Sequence, residues 1–186
     1  MNLPTLVTLF RIFAIPVFVA IYYLPTHWAH PIAAAIFILA AISDWLDGYL
    51  ARSMSLQTAL GAFLDPVADK LLVAFILILV VGQNYTAFLA LPAAIIVGRE
   101  IVISALREWM AELGKRASVA VGFVGKVKTT LQMIALIVLS FYASYMPQVI
   151  LWFGVLLLYV SAVLTLWSMI IYLKIAWPDL TSAHDK

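Results

Sequence analysis

Between Asp44 and Asp69 the sequence reads Asp44-x-x-Asp47-Gly48-x-x-Ala51-Arg52, then eight residues, then Gly61-x-x-x-Asp65-x-x-x-Asp69. Four carboxylates within twenty-six residues stand out in a chain of which only 11% is charged. On a helix, residues three or four apart share a face, with Cβ atoms roughly 5–6 Å apart. Asp44, Asp47, Gly48 and Ala51 would then form one stripe, and Gly61, Asp65, Ala68 and Asp69 a second. Each stripe sets two acids beside residues with little or no side chain, so a bulky ligand could come close to the backbone. Converging carboxylate oxygens suit hard divalent cations such as Mg²⁺ or Mn²⁺. Two such ions about 3.5–4 Å apart would bridge a diphosphate and stabilise an in-line displacement at phosphorus. The alternative is a set of acids satisfied by helix pairing, but an acid at membrane depth is costly and by default marks function.

The elements that must carry these acids follow from composition. With 186 residues, 66% of them hydrophobic, and a mean hydropathy of +1.09, the chain is expected to be one all-α integral membrane domain over 1–186. Spans of about 20 residues fit six times, at Phe10–Leu24, Ile32–Leu50, Val67–Val81, Ala87–Met110, Val127–Tyr145 and Val149–Leu173. This gives a juxtamembrane segment 1–9, a six-helix core 10–173 and a cytoplasmic tail 174–186. Connectors Pro25–Pro31, Gly82–Thr86 and Ala143–Gln148 contain no Lys, Arg, Asp or Glu. All eleven basic and nine acidic residues therefore fall at, or in the half-spans leading to, the other side. Positive-inside bias makes that side the cytoplasm, and both termini and the acidic stretch are expected there. Trp28 and Trp152 mark one interface, Trp45, Trp109 and Trp177 the other. The absence of cysteine excludes disulfides, thiol catalysis and thiolate metal sites. A net charge of +2 gives no reason to expect a nucleic-acid partner. The first span carries no small-residue cleavage site, against a removed signal peptide.

Along the chain, Met1–Phe10 has the pattern of a short interfacial helix preceding the first span. Arg11 could snorkel to lipid phosphate or reach a site. His27 and His30 are read as residues of an ordinary wet loop. Arg52 is placed to meet phosphate or pair with an aspartate. Pro66, directly after Asp65, suits the first turn of a helix, and Lys70 balances the dense negative charge. Arg99 and Glu100 lie deeper than a surface pair should, and each needs a partner. Glu108 and Glu112 share a polar face beside Arg107, and Lys115 and Arg116 read as anchors. Lys126 and Lys128 open the fifth span and could either anchor it or recognise phosphate by charge. The sixth span, with Trp167 and Tyr172, reads as scaffold or subunit interface.

At all eight fixed positions, and with its spacing, the Asp44–Asp69 stretch resembles the signature of the CDP-alcohol phosphatidyltransferases. With residue types each used at several per cent, a chance match at a given position is on the order of 10⁻¹⁰. The resemblance implies a homodimeric membrane enzyme that joins a CDP-linked donor to an alcohol and releases CMP. It makes Asp44, Asp47, Asp65 and Asp69 the ligands of two divalent cations. It also makes Asp69 the general base, and Asp44, Asp47, Gly48, Ala51, Arg52 and Gly61 the residues that meet the CDP. From Asn2-Leu3-Pro4-Thr5 onward, and especially over Gly98–Arg116 and Gly125–Gln132, the chain is similar to bacterial members that use CDP-diacylglycerol as donor and sn-glycerol 3-phosphate as acceptor. Arg99, Arg107, Lys126 and Lys128 are then the candidates for holding the acceptor phosphate. Serine, inositol phosphate or phosphatidylglycerol are the competing acceptors within the family. A divalent-cation transporter is the competing class, disfavoured because the outer halves of the spans are almost wholly apolar.

Overall fold

Inside a bilayer every backbone amide must be satisfied by the chain itself, which leaves helices as the answer for a sequence this apolar. The computed structural model describes residues 3–54, 59–84, 87–112, 114 and 123–182; the side chains of 3–5, 44–54, 59, 60, 62, 65, 84, 87, 123, 124, 126 and 179–182 fall outside that description. The described residues form α1 (Leu3–Tyr22), α2 (Ala29–Met54), α3 (Ala59–Asn84), α4 (Ala87–Glu112), α5 (Phe123–Phe141) and α6 (Gln148–Ser182). Three stretches, Pro66–Gln83, Phe88–Glu112 and Gln148–Pro178, are long and apolar enough to cross a membrane. Leu6–Tyr22, Ala29–Ser43 and Val127–Phe141 are shorter apolar helices. These ranges take in only the described side chains, and the helices that carry them, α1, α2 and α5, run 20, 26 and 19 residues.

The chain forms two compact units, Met1–Tyr85 with Leu136–Gly154, and Thr86–Ala135 with Val155–Lys186. In the first, α1 packs along α2 and α3. Its buried face recurs every three or four residues, at Arg11, Ala14, Ile15, Phe18 and Tyr22. On α2 the buried positions are largely alanine, Ala33, Ala34 and Ala40 around Phe37, and on α3 they include Ala68, Leu72, Ile76 and Val80. Small residues let helix backbones approach closely where lipid supplies no hydrophobic drive to associate. Phe10, Phe13 and Val17 point outward from α1, as expected of side chains whose solvent is hydrocarbon.

In the same unit α6 starts against α5. A Cβ on Gly154 would stand 2.8 Å from Cγ and Cδ2 of Leu139, a fully buried side chain, and 3.2 Å from Cγ1 of Val138. The turn between α1 and α2 is tied down by Tyr145, whose hydroxyl donates to the His27 carbonyl at 2.7 Å. The second unit is centred on Ile103, Leu106 and Met110 of α4 with Tyr172 and Ala176 of α6, covered by Trp109, Met169 and Leu173. Beyond α4, Gly114 adopts φ +73° and its N–H bonds the Ala111 carbonyl at 3.1 Å. This left-handed position after a helix favours glycine.

Several details differ from the sequence-based expectations. The segment before the first span is not a separate interfacial helix, since Leu3–Tyr22 is continuous. Leu3–Phe10 contains no glycine, and its one proline, Pro4, stands in the first turn, where no N–H is needed. Pro66 and Asp65 are not near a helix start, because α3 begins at Ala59 and Pro66 lies inside it. A proline there leaves the Ala62 carbonyl without its intrahelical donor, a defect that membrane helices tolerate where neighbouring groups re-satisfy it. His30 is not a wet-loop residue. It is buried in the first turn of α2, edge-on to Tyr22 with centroids 4.8 Å apart, and its Nε2 lies 3.0 Å from Gln83 Nε2. Finally, α6 runs past Leu173 to Ser182.

Replacing Gly154 by Val should lower the thermal stability of the detergent-solubilised protein, by about 1–3 kcal/mol on the usual scale of overpacking. Because the clash is with one side chain, Leu139→Ala should cost less in the Gly154→Val background than alone; equal costs in melting experiments would refute the contact.

Candidate functional site

Asp44, Asp47, Gly48, Ala51 and Arg52 lie within α2, and Gly61, Asp65 and Asp69 within α3. The helical spacing on which the two stripes depend is therefore present on both elements, and both helices pack on α1. The side chains of Asp44, Asp47, Ala51, Arg52 and Asp65, and the surroundings of Gly48, lie outside the described residues. Gly61 is half-buried. Asp69 keeps 49% of its side chain exposed, with its Oδ1 3.8 Å from Nη1 of Arg11.

Arg11 is wholly buried, which overturns snorkelling to the lipid surface. A guanidinium withdrawn from water on an apolar helix needs an anion, and the packing of α1 against α3 brings it to Asp69. The carboxylate is thereby oriented from one side while half its surface stays open. Its open surface and the oxygen-only chemistry of the four aspartates fit a hard divalent cation.

The second unit holds a separate charged cluster. Arg99, 6% exposed, donates from Nη1 to Glu100 Oε1 at 2.7 Å and from Nη2 to Ser168 Oγ at 3.3 Å. Lys128 Nζ is 3.6 Å from the same Glu100 oxygen. The Tyr172 ring lies 5.9 Å from the guanidinium carbons of both Arg99 and Arg107, within reach of cation–π attraction. Arg107 is exposed and Lys128 buried, while the Lys126 side chain lies outside the described residues. Thus three of the four basic candidates are brought together, by α4, α5 and α6. The cluster answers the need of Arg99 and Glu100 for partners, and its shape suits a phosphate: fixed guanidinium donors next to an ammonium charge.

Sequence reasoning missed the contribution of α6. Ser161, Thr165, Ser168 and Tyr172 are all buried on that helix, at spacings of four, three and four that put them on one face. Ser161 Oγ donates to the Lys128 carbonyl at 3.4 Å and Ser168 Oγ to the Thr165 carbonyl at 2.8 Å. A stripe of hydroxyls in an otherwise apolar span was the available signal that this face of the scaffold packs on polar groups. The pairing of Arg11 with Asp69 had no such signal, since nothing in the sequence says which helix α1 faces.

A family model described as CDP-alcohol phosphatidyltransferase matches residues 1–173. The chain is 55% identical to a CDP-diacylglycerol–glycerol-3-phosphate 3-phosphatidyltransferase of Salmonella paratyphi A, over 179 residues covering 96% of this chain and 97% of the relative. Proteins of the same name from Shigella flexneri serotype 5b and Escherichia coli (strain K12) are each 54% identical over the same shares. A match that takes in α1 to α5 and α6 as far as residue 173, including both helices that bear the acids, covers nearly the whole architecture, and the chain belongs to the CDP-alcohol phosphatidyltransferase family.

Proposed function

We propose that this protein transfers the phosphatidyl group of CDP-diacylglycerol to sn-glycerol 3-phosphate, forming phosphatidylglycerol phosphate and CMP, a step of anionic phospholipid biosynthesis. The observation that carries the reading is 54–55% identity, over nearly the full length of both chains, to proteins named for that reaction. The buried Arg99–Lys128 cluster supports an acceptor that carries phosphate.

In this reading Asp44, Asp47, Asp65 and Asp69 hold two divalent cations, Mg²⁺ or Mn²⁺. When bound, such ions neutralise the diphosphate and stabilise charge developing on the leaving phosphate. Gly48, Ala51 and Gly61 leave room for the nucleotide, and Arg52 answers the charge of the departing CMP. Asp69 takes the proton from the 1-hydroxyl of glycerol phosphate as that oxygen attacks the phosphorus bearing diacylglycerol; the bond to the CMP oxygen breaks. A carboxylate is weakly basic for an alcohol, so electrostatic stabilisation must supply much of the rate. Arg11, inaccessible and 3.8 Å from Asp69, fixes the direction in which that base presents its oxygens. Arg99, Arg107, Lys126 and Lys128 bind the acceptor phosphate.

The proposal extends to topology. All six helices span the inner membrane of a bacterium, with the uncharged connectors outside, and both termini and the acids at the cytoplasmic face. At about 1.5 Å per residue, α1, α2 and α5, of 20, 26 and 19 residues, reach about the thickness of the hydrocarbon layer. The working unit is a homodimer.

Purified protein supplied with CDP-diacylglycerol and, in turn, glycerol 3-phosphate, serine, inositol phosphate and phosphatidylglycerol should yield a lipid of the mass of phosphatidylglycerol phosphate with the first alone. Equal or greater product with another acceptor would refute the assignment. Asp69→Asn should reduce turnover by at least about 10²-fold, the lower range for losing general acid–base catalysis, while CDP-lipid binding is largely kept; near-normal turnover would remove Asp69 from the role of base.

A further inference from the structure

Within the second unit a single acid stands between buried cations. Arg99 and Lys128, each with 6% of its side chain exposed, converge on one oxygen, Glu100 Oε1, at 2.7 and 3.6 Å. Arg107 adds a third positive charge, 5.9 Å from the Tyr172 ring. One carboxylate shared by two buried cations leaves positive charge in surroundings where uncompensated charge is costly. The Arg99 Nε–H is also buried and meets no acceptor among the described residues, although a guanidinium offers five donors in a fixed fork. Among the described residues, excess positive charge and an unused donor make a cluster that another anion would complete. Glu100 itself is 31% exposed, so its carboxylate can turn toward water without burying its charge.

We infer that Glu100 is a tethered stand-in for the acceptor's phosphate. Before the acceptor binds, its carboxylate keeps Arg99 and Lys128 converged, and the incoming phosphate displaces it. The inference rests on the reading of this cluster as the acceptor pocket and adds the residue that sets its selectivity. A phosphate dianion brings more charge and more acceptor oxygens than a carboxylate, and reaches the donor that Glu100 leaves unused. An acceptor with no phosphate must compete with a carboxylate held at the high effective concentration of an attached group. It therefore cannot open the pocket. Glu100 thus weakens binding of the right acceptor modestly and that of the wrong one severely.

The test is Glu100→Gln, which keeps shape and removes charge, read in two assays beside Lys128→Gln. The KM for glycerol 3-phosphate should fall about threefold or more in Glu100→Gln, the scale of one lost competing ion pair, and rise in Lys128→Gln. In thermal unfolding, inorganic phosphate should raise the melting temperature of Glu100→Gln by more than that of the wild-type protein. A purely structural ion pair predicts lower stability with no larger response to phosphate. A KM that does not fall, or a phosphate response no greater than wild type, overturns the inference. If Glu100→Gln does not accumulate, Glu100→Asp, which draws the carboxylate back by one methylene, is read by the same two criteria. The melting experiment needs no turnover. Wild-type protein that makes no phosphatidylglycerol phosphate would defeat the proposed reaction, while the phosphate response would still decide the role of Glu100.

Discussion

Charge withdrawn from water must be answered by the protein, and that constraint organises this chain more than any packing preference. Its apolar helices are at home in hydrocarbon, where one helix has little hydrophobic reason to choose another. Ion pairs and close-packed alanines supply the choice. Arg11 is fully buried and finds Asp69 across the α1–α3 contact. Arg99 finds Glu100, Ser168 and the Tyr172 face across α4 and α6. Removing the acid of such a pair leaves a buried cation uncompensated, a cost that water moderates here because Asp69 and Glu100 keep 49% and 31% of their side chains exposed. The residues that help hold the fold are therefore also among those proposed for the chemistry.

The two units divide the chemical demands. One carries the acids, the small residues beside them, and an arginine that orients one acid. The other carries the cations, an acid shared between two of them, and a lining of hydroxyls and one tyrosine. A reaction that joins an activated diphosphate to a phosphate-bearing alcohol must manage negative charge on both substrates. Divalent ions held by carboxylates suit a diphosphate that changes charge during the reaction, whereas fixed guanidinium and ammonium groups suit a phosphate that is only held.

Much of this was legible in the sequence because the signals were local. The acid stripes needed only helical spacing, and α2 and α3 contain them whole. The uncharged connectors located turns at residues 23–28 and 142–147. The depth of Arg99 and Glu100 announced that partners were required. What the sequence withheld is which partners, because that depends on which helix faces which. The sharing of Glu100 by Arg99 and Lys128 is of this kind, as is the burial of His30 beside Tyr22 and Gln83. Pro66 shows a different limit. As a local rule it marks a helix start, yet α3 forms a further seven residues before it, since continuing the helix satisfies more backbone groups than one missing N–H forfeits.

The central claim is that aspartates of α2 and α3 act together as one cation-holding set that a cytidine diphosphate completes. The most direct measurement is Mn²⁺ binding to the purified protein, followed by electron paramagnetic resonance with and without CDP. The account predicts two Mn²⁺ per chain in the presence of CDP, with Asp44→Asn on α2 and Asp65→Asn on α3 each lowering that number. CDP binding as tight in the presence of a chelator as with Mn²⁺, or an undiminished Mn²⁺ count in both variants, would contradict it.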